Sequence, residues 1–363
     1  MKNSIINKTY LTKGTSSKIA IACSSLLLAF TVVGKEPPVP TYNLDTNSKT
    51  KIITSIINEL EQGYIFPEKA VKTGEILRRF QKKNKYKTIS DANEFATTLT
   101  EQLQQETGDK HLQVEFSSEI IPTDTDTKAQ AARAAFEMEM WRAHNFGFEK
   151  IERMKFNIGY FKLTAFGPVK EVGPLLASAM NLLNNTDSLI IDLRGNFGGN
   201  EQTVQLLASY LLNQRTHLLD MVKRKGNRID QHWSSDYVEG QRFGEEKDVY
   251  ILIDKNSFSA AEDFSYTMKN LNRATLIGET SGGAANSGDT VRLDEHFNLF
   301  LPTARGVSPI TKTNWEGIGV IPDIKVAGED ALNKAQAVIL TKLMASEQDP
   351  RRMERIKARI AEL

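Results

Sequence analysis

Four short β-rich runs, NIGYFKL, DSLIIDL, DVYILID and ATLIG, lie between residues 157 and 278, and helix-like segments follow the first three. Strands separated by helices pack as a sheet covered by those helices, so this alternation predicts an α/β core with a substantial sheet. It excludes an all-helical bundle. No internal repeat competes with this reading.

The chain ahead of the core has a different period. Ile52, Ile53, Ile56, Ile57 and Leu60 recur at helical spacing. Pro67 opens a second helix with Ile76, Leu77 and Phe80, and a third begins near Ser90, with Asp91 and Glu94 at capping-box spacing. Gly108 ends it. The expectation is a small three-helix subdomain over 44–108, then an α/β core over 109–345. HLQVEF alternates like a strand, and the Ala-rich stretch near residues 128–143 reads as a connecting helix. A charged amphipathic tail over 346–363 reads as a solvated helix.

Residues 1–34 carry an export pattern. Lys2, Lys8, Lys13 and Lys18 precede an uncharged apolar run from Ile19 to Val33, the arrangement of a secretory signal peptide. The run falls short of the ~20 apolar residues that span a bilayer. A linker over 35–43 follows, and the expected location is the bacterial periplasm or the extracellular space. Contact with the membrane is expected only transiently, during export. Cys23 is the single cysteine and would leave with the signal, which excludes thiol nucleophiles, disulfides and Cys-ligated zinc. Net charge is +1 and no basic stripe stands out, so nucleic acid is not an expected partner.

Two stretches could carry chemistry. In DSLIIDLRGNFGGN a strand runs into Gly195, Gly198 and Gly199 before a helix from about Glu201. Glycines there expose backbone N–H groups at a helix start, suited to a phosphate or an oxyanion, although a plain tight turn explains them equally well. In DKNSFSAAEDF a strand ends at Asp254, and Ala261, Phe264, Met268 and Leu271 then follow at helical spacing. Ser257 and Ser259 both read as helix caps, yet a serine at a helix start also has donors nearby for an oxyanion. The spacing is not that of a Gly-x-Ser-x-Gly elbow.

Together, LIIDLRGNFGGN, ILIDKNSFSAAEDF, ATLIGETSGGAANSG and GIGVIPD resemble the C-terminal processing peptidase family of serine proteases. That family includes tail-specific proteases, the tricorn core protease and the modules of interphotoreceptor retinoid-binding protein. YIFPEKA, GDKHLQVEF and NFGFEKIERMKFNIGYFKL extend the resemblance to the retinoid-binding-protein or tricorn-like branch, without a PDZ module. It implies a crotonase/ClpP-like α/β core sheet with helices, plus a helical N-terminal subdomain. By position it implies Ser259 as nucleophile, and Ala260 with Gly198 or Gly199 as oxyanion-hole amides. The lysine base of tail-specific relatives has no counterpart in Thr280-Ser281-Gly282-Gly283-Ala284. His111 falls where tricorn-type members place a histidine base, and Lys110 stands where tricorn has a serine. Glu316, in NWEGIGVIPD, is the candidate orienting carboxylate. His144, His217, His232 and His296 fall in no matched motif and make no metal spacing.

The expectation is an exported serine endopeptidase acting on protein or peptide through a Ser-His pair, with no cofactor and no metal. The alternative on the same fold is a non-catalytic module binding apolar ligands or peptides. A crotonase-like acyl-CoA enzyme shares the oxyanion logic, but export separates it from intracellular thioesters.

Overall fold

The computed structural model describes residues 42–123 and 125–363. The expected signal segment over 1–34, Cys23 within it, and most of the expected linker lie outside the described residues.

The chain enters through α1 (Thr46–Gly63), α2 (Pro67–Lys82) and α3 (Ala92–Thr107). Each boundary has a local cause. Asp45 caps α1 by accepting the Ser48 N–H at 2.7 Å, Pro67 occupies the first position of α2, and Asp91 accepts the Glu94 N–H at 2.9 Å. Gly108 closes α3 in the left-handed conformation, φ 73°. The isoleucine stripe of α1 is buried against Leu77, Phe95 and Leu99.

This helical layer does not close on itself. Its core continues into Leu112 and Val114 and into Phe297, Leu299 and Leu301, far along the chain. Leu112 immediately precedes β1 (Gln113–Phe116), Val114 lies in it, and the other three belong to a long strand that pairs with it antiparallel. The connecting helix α4 (Thr127–Ala143) buries no residue.

The predicted α/β core is present. β2 (Phe148–Met154), β3 (Ile158–Leu163), α5 (Val169–Leu183), β4 (Ser188–Asp192) and α6 (Glu201–Leu211) come first. A hairpin of β5 (His217–Lys223) and β6 (Ile229–Trp233) is followed by β7 (Asp248–Ile253), α7 (Ala260–Asn270) and β8 (Thr275–Gly278). β9 (Asn286–Arg292), β10 (Phe297–Val307), β11 (Ile324–Lys325), α8 (Ala331–Ser346) and α9 (Pro350–Glu362) complete the chain.

Two sheets result. The six-stranded sheet has the order β11-β8-β7-β4-β3-β2, parallel except for β2 at the edge. Every residue of β4 is buried, which is why its sequence is a continuous apolar run rather than an alternation. The second sheet, β1-β10-β5-β6 with β9 on β10, is antiparallel. No strand of it but β1 was legible in the sequence. β10 carries Pro302 at a register shift against β9 and Gly306 near its end, residues that mask a strand pattern. The functional consequence is positional. The carboxyl ends of β4 and β7 face the antiparallel sheet and β1, so a cleft forms between the two sheets.

Candidate active site

The serine pair separates cleanly. Ser257 is fully buried; its Oγ donates to the Leu193 carbonyl at 2.8 Å and accepts the Asp254 N–H at 3.0 Å. It pins the turn between β7 and α7. Ser259 is half-buried, precedes α7, and holds φ 54° and ψ −116°, a conformation that a side chain rarely adopts. Its N–H donates to Glu262 Oε2 at 2.9 Å. Glu262 also accepts from Ser281 Oγ at 2.5 Å, Gly283 N–H at 2.6 Å and Ala284 N–H at 2.9 Å. Burial pushes the Glu262 carboxyl up to about 7, against the pull of these donors. One carboxyl thus binds the strained serine turn to the 281–284 segment.

The glycine loop approaches from β4. Asn196, fully buried, holds it: its Nδ2 donates to the Leu163 carbonyl at 2.7 Å and its own carbonyl accepts the Phe258 N–H at 2.9 Å. Its Oδ1 accepts the Gly198 N–H at 2.9 Å. Gly198 and Gly199 have φ 102° and 130°, and the loop needs both. A Cβ at Gly198 would lie 2.7 Å from the Ser259 Cβ, and one at Gly199 would lie 2.2 Å from the Phe166 carbonyl oxygen. The sequence left Gly198 and Gly199 as alternatives for an oxyanion donor. The structure separates them: the Gly198 N–H is spent on Asn196, whereas the Gly199 N–H donates to no partner among the described residues. Ala260, at the first position of α7, likewise has an uncommitted N–H.

His111 arrives from the other wall, between α3 and β1. It is 3% exposed and its ring packs on Phe258 at 4.9 Å and Phe300 at 5.8 Å between centroids. Its Nδ1 lies 3.9 Å from Asp109 Oδ1 and accepts or donates no hydrogen bond. Burial holds the imidazole below its usual pKa, with the Asp109 charge opposing. Asp109 is itself buried and accepts three bonds: Tyr64 Oη at 3.0 Å, Asn286 Nδ2 at 2.9 Å and the His111 N–H at 3.0 Å.

Glu316 is not a solvent-facing loop acid. It accepts the Ala285 N–H at 2.6 Å through Oε2, while Oε1 is buried without a partner. Burial and the Asp109 charge push its carboxyl up to about 8. Donor atoms of Asp109, His111 and Glu316 all lie within 4.8 Å of one another, the one such group among the described residues that could share a metal ion. Two carboxylates and one imidazole are a donor set suited to a divalent cation.

A cavity of about 390 Å³ joins the two walls, lined by His111, Ser259, Ala260 and Gly199 among others. Among the described residues no lysine lines it. Lys110 Nζ donates to the Gly282 carbonyl. Lys269 pairs with Asp323 at 2.8 Å. Asp109 and Asn196 are the residues that sequence reasoning missed. Asp109 stands two positions before His111, an acid-x-His spacing that was open to view; Asn196 carried no signal beyond its place among the loop glycines. Trp141 was also missed, since it lines the cavity from the otherwise exposed α4.

Comparison with known proteins agrees with this architecture. Residues 157–326 match peptidase family S41, and residues 46–145 match the N-terminal domain of that family in eukaryotic IRBP. A carboxy-terminal-processing protease of Bartonella bacilliformis is 30% identical over 179 residues, covering 48% of this chain and 40% of that protein. The carboxy-terminal processing protease CtpB of Bacillus subtilis is 23% identical over 177 residues, 48% of this chain and 35% of that protein. The matched segment thus spans less than half the length of either relative. A lipoprotein structure from Streptococcus agalactiae superposes with a TM-score of 0.55 at 17% identity, over 80% of this chain and 95% of that chain, a likeness of fold.

Proposed function

This chain belongs to peptidase family S41, and from that premise we propose that it is an exported serine endopeptidase working through a Ser-His pair. The observation that carries the reading is the shared cavity: Ser259, His111, Ala260 and Gly199 all line it, and among the described residues no lysine does.

In this mechanism Ser259 Oγ attacks the peptide carbonyl carbon while His111 takes its proton. Nδ1 faces Asp109, so the proton-accepting nitrogen is Nε2 and the Asp109 charge stabilises the imidazolium. The carbonyl oxygen, now an oxyanion, accepts from the Ala260 and Gly199 N–H groups. Collapse expels the amine, which takes the proton back from His111, and water then repeats the sequence on the acyl-enzyme. Asp109 fits the orienting role better than Glu316. It sits beside Nδ1 and accepts three donors, whereas burial and the neighbouring Asp109 push the Glu316 carboxyl up, which disfavours its charged form.

A fluorophosphonate probe tests the reading: it should label the wild type on Ser259 and fail on Ser259→Ala. Absence of labelling in well-folded wild type would favour the non-catalytic binding module instead. Export rests on the pattern of residues 1–34, and intact mass of the exported protein checks it. A full-length mass in the membrane fraction, or a lipid adduct on Cys23, would contradict it.

A further inference from the structure

The cavity holds two acidic side chains that hydrolysis does not use, Asp263 and Glu201. Asp263 stands in the first turn of α7, four residues after Ser259, and both residues line the cavity. It is 7% exposed and its Oδ1 accepts one bond, from Thr267 Oγ1 at 3.2 Å. Among the described residues its other oxygen accepts no hydrogen bond, and no lysine or arginine pairs with it. Glu201 opens α6 on the adjoining wall, with Oε2 at 3.6 Å from His232 Nε2.

A buried acid without a cation is costly, and two in one recess repel. Burial and the charge of Glu201 together push the Asp263 carboxyl up to about 7, with only the Thr267 bond opposing. Phe166, Phe197, Leu219, Met221 and Trp315 supply apolar lining to the same cavity, beside the polar Asn200, Asn286 and Ser287. Apolar walls beside an uncompensated carboxylate suit a side chain with a methylene stem and a cationic head.

We propose that this recess is a specificity subsite for a Lys or Arg side chain next to the scissile bond, with Asp263 as the main counter-charge and Glu201 as the second. It rests on the serine-peptidase reading for its position relative to the cleaved bond, but not for its capacity to bind a cation. The stem lies along the aromatic wall, and the head replaces the missing partner of Asp263. A neutral aliphatic side chain leaves that carboxylate desolvated and unpaired, which is the source of discrimination.

Two measurements at pH 8 separate the parts. In the first, n-butylguanidinium and n-butanol are titrated calorimetrically into Ser259→Ala. The guanidinium should bind and the alcohol should not, and adding Asp263→Asn should weaken the guanidinium at least ~10-fold, Glu201→Gln less. No binding, or equal affinity with and without Asp263, overturns the subsite. The second compares labelling of the intact nucleophile by peptidyl diphenyl phosphonates with Lys or Leu beside phosphorus. Wild type should react at least ~10-fold faster with Lys; the ratio should collapse in Asp263→Asn and persist in Lys269→Ala. Equal rates in wild type overturn the specificity assignment. Cation binding that depends on Asp263, with phosphonates and fluorophosphonate all silent, would instead break the peptidase reading and leave the recess as a cation-binding site.

Discussion

The two walls of the cleft are built from different material. The Ser259 wall is made of backbone: strand ends of β4 and β7, a left-handed turn, two positive-φ glycines and the first N–H of α7. The His111 wall is made of side chains from separated elements, with Tyr64 after α1, Asp109 before β1, Asn286 opening β9 and Glu316 between β10 and β11. The backbone device consists of two strand-to-helix turns, and each turn is written in neighbouring residues. A side-chain cluster is assembled by packing, and its members are scattered.

The largest expected effect sharpens the first wall. Ser259→Ala should reduce peptide hydrolysis to background while stability changes by no more than ~1 kcal/mol, the cost of losing a cap. Activity assays with thermal unfolding check both halves; retained turnover would break the assignment of Ser259.

Next comes the second wall. His111→Ala should lower turnover at least ~100-fold, the low end for losing a general base. Lys269→Ala should cost little, because its ion pair with Asp323 lies partly in solvent, away from the cavity. Near-normal turnover in the first with collapse in the second would return the protein to a serine-lysine mechanism.

The carboxylates behind the histidine should be unequal. Asp109→Asn should cost at least ~10-fold in kcat, since it removes the charge that stabilises the imidazolium, and Glu316→Gln should cost less. The reverse order, measured with one fluorogenic peptide, would exchange their roles.

A smaller effect is a displaced titration. Burial lowers the His111 pKa, so the ring stays neutral, and able to accept a proton, to lower pH than an ordinary histidine. The acid limb of kcat/KM should therefore fall below the usual ~6.5. A limb above that value would show Asp109 outweighing burial.

The smallest effect on catalysis belongs to Ser257→Ala. Leaving the Asp254 N–H without its partner, and the Leu193 carbonyl with only the Asn196 N–H, should cost ~1–3 kcal/mol of stability while substantial activity remains. Loss of activity without loss of stability would shift the nucleophile by two residues.

How much was legible follows the same division. The parallel strands showed because β4 and β7 are apolar runs bounded by turn residues, and the helical layer showed through its caps and its isoleucine stripe. Most of the antiparallel sheet stayed hidden, because Pro302 and Gly306 interrupt β10 and two of its partners, β1 and β5, lie far away in the chain. Glu316 was picked out only through the family resemblance, because nothing local to NWEGIG indicates that it lies beside Asp109 and His111.

The sequence by itself determined the α/β alternation, the strand-to-helix turn before α7 and the glycine loop, because each is written in neighbouring residues through period, caps and allowed φ. Tertiary structure alone decided which amides remain uncommitted, since Asn196 takes the Gly198 N–H and leaves that of Gly199. It also decided which acid faces His111 and that Asp263 opens onto the cavity without a cation. Those outcomes depend on burial and on distances between side chains far apart in the chain, and neither quantity exists until the two sheets close on each other.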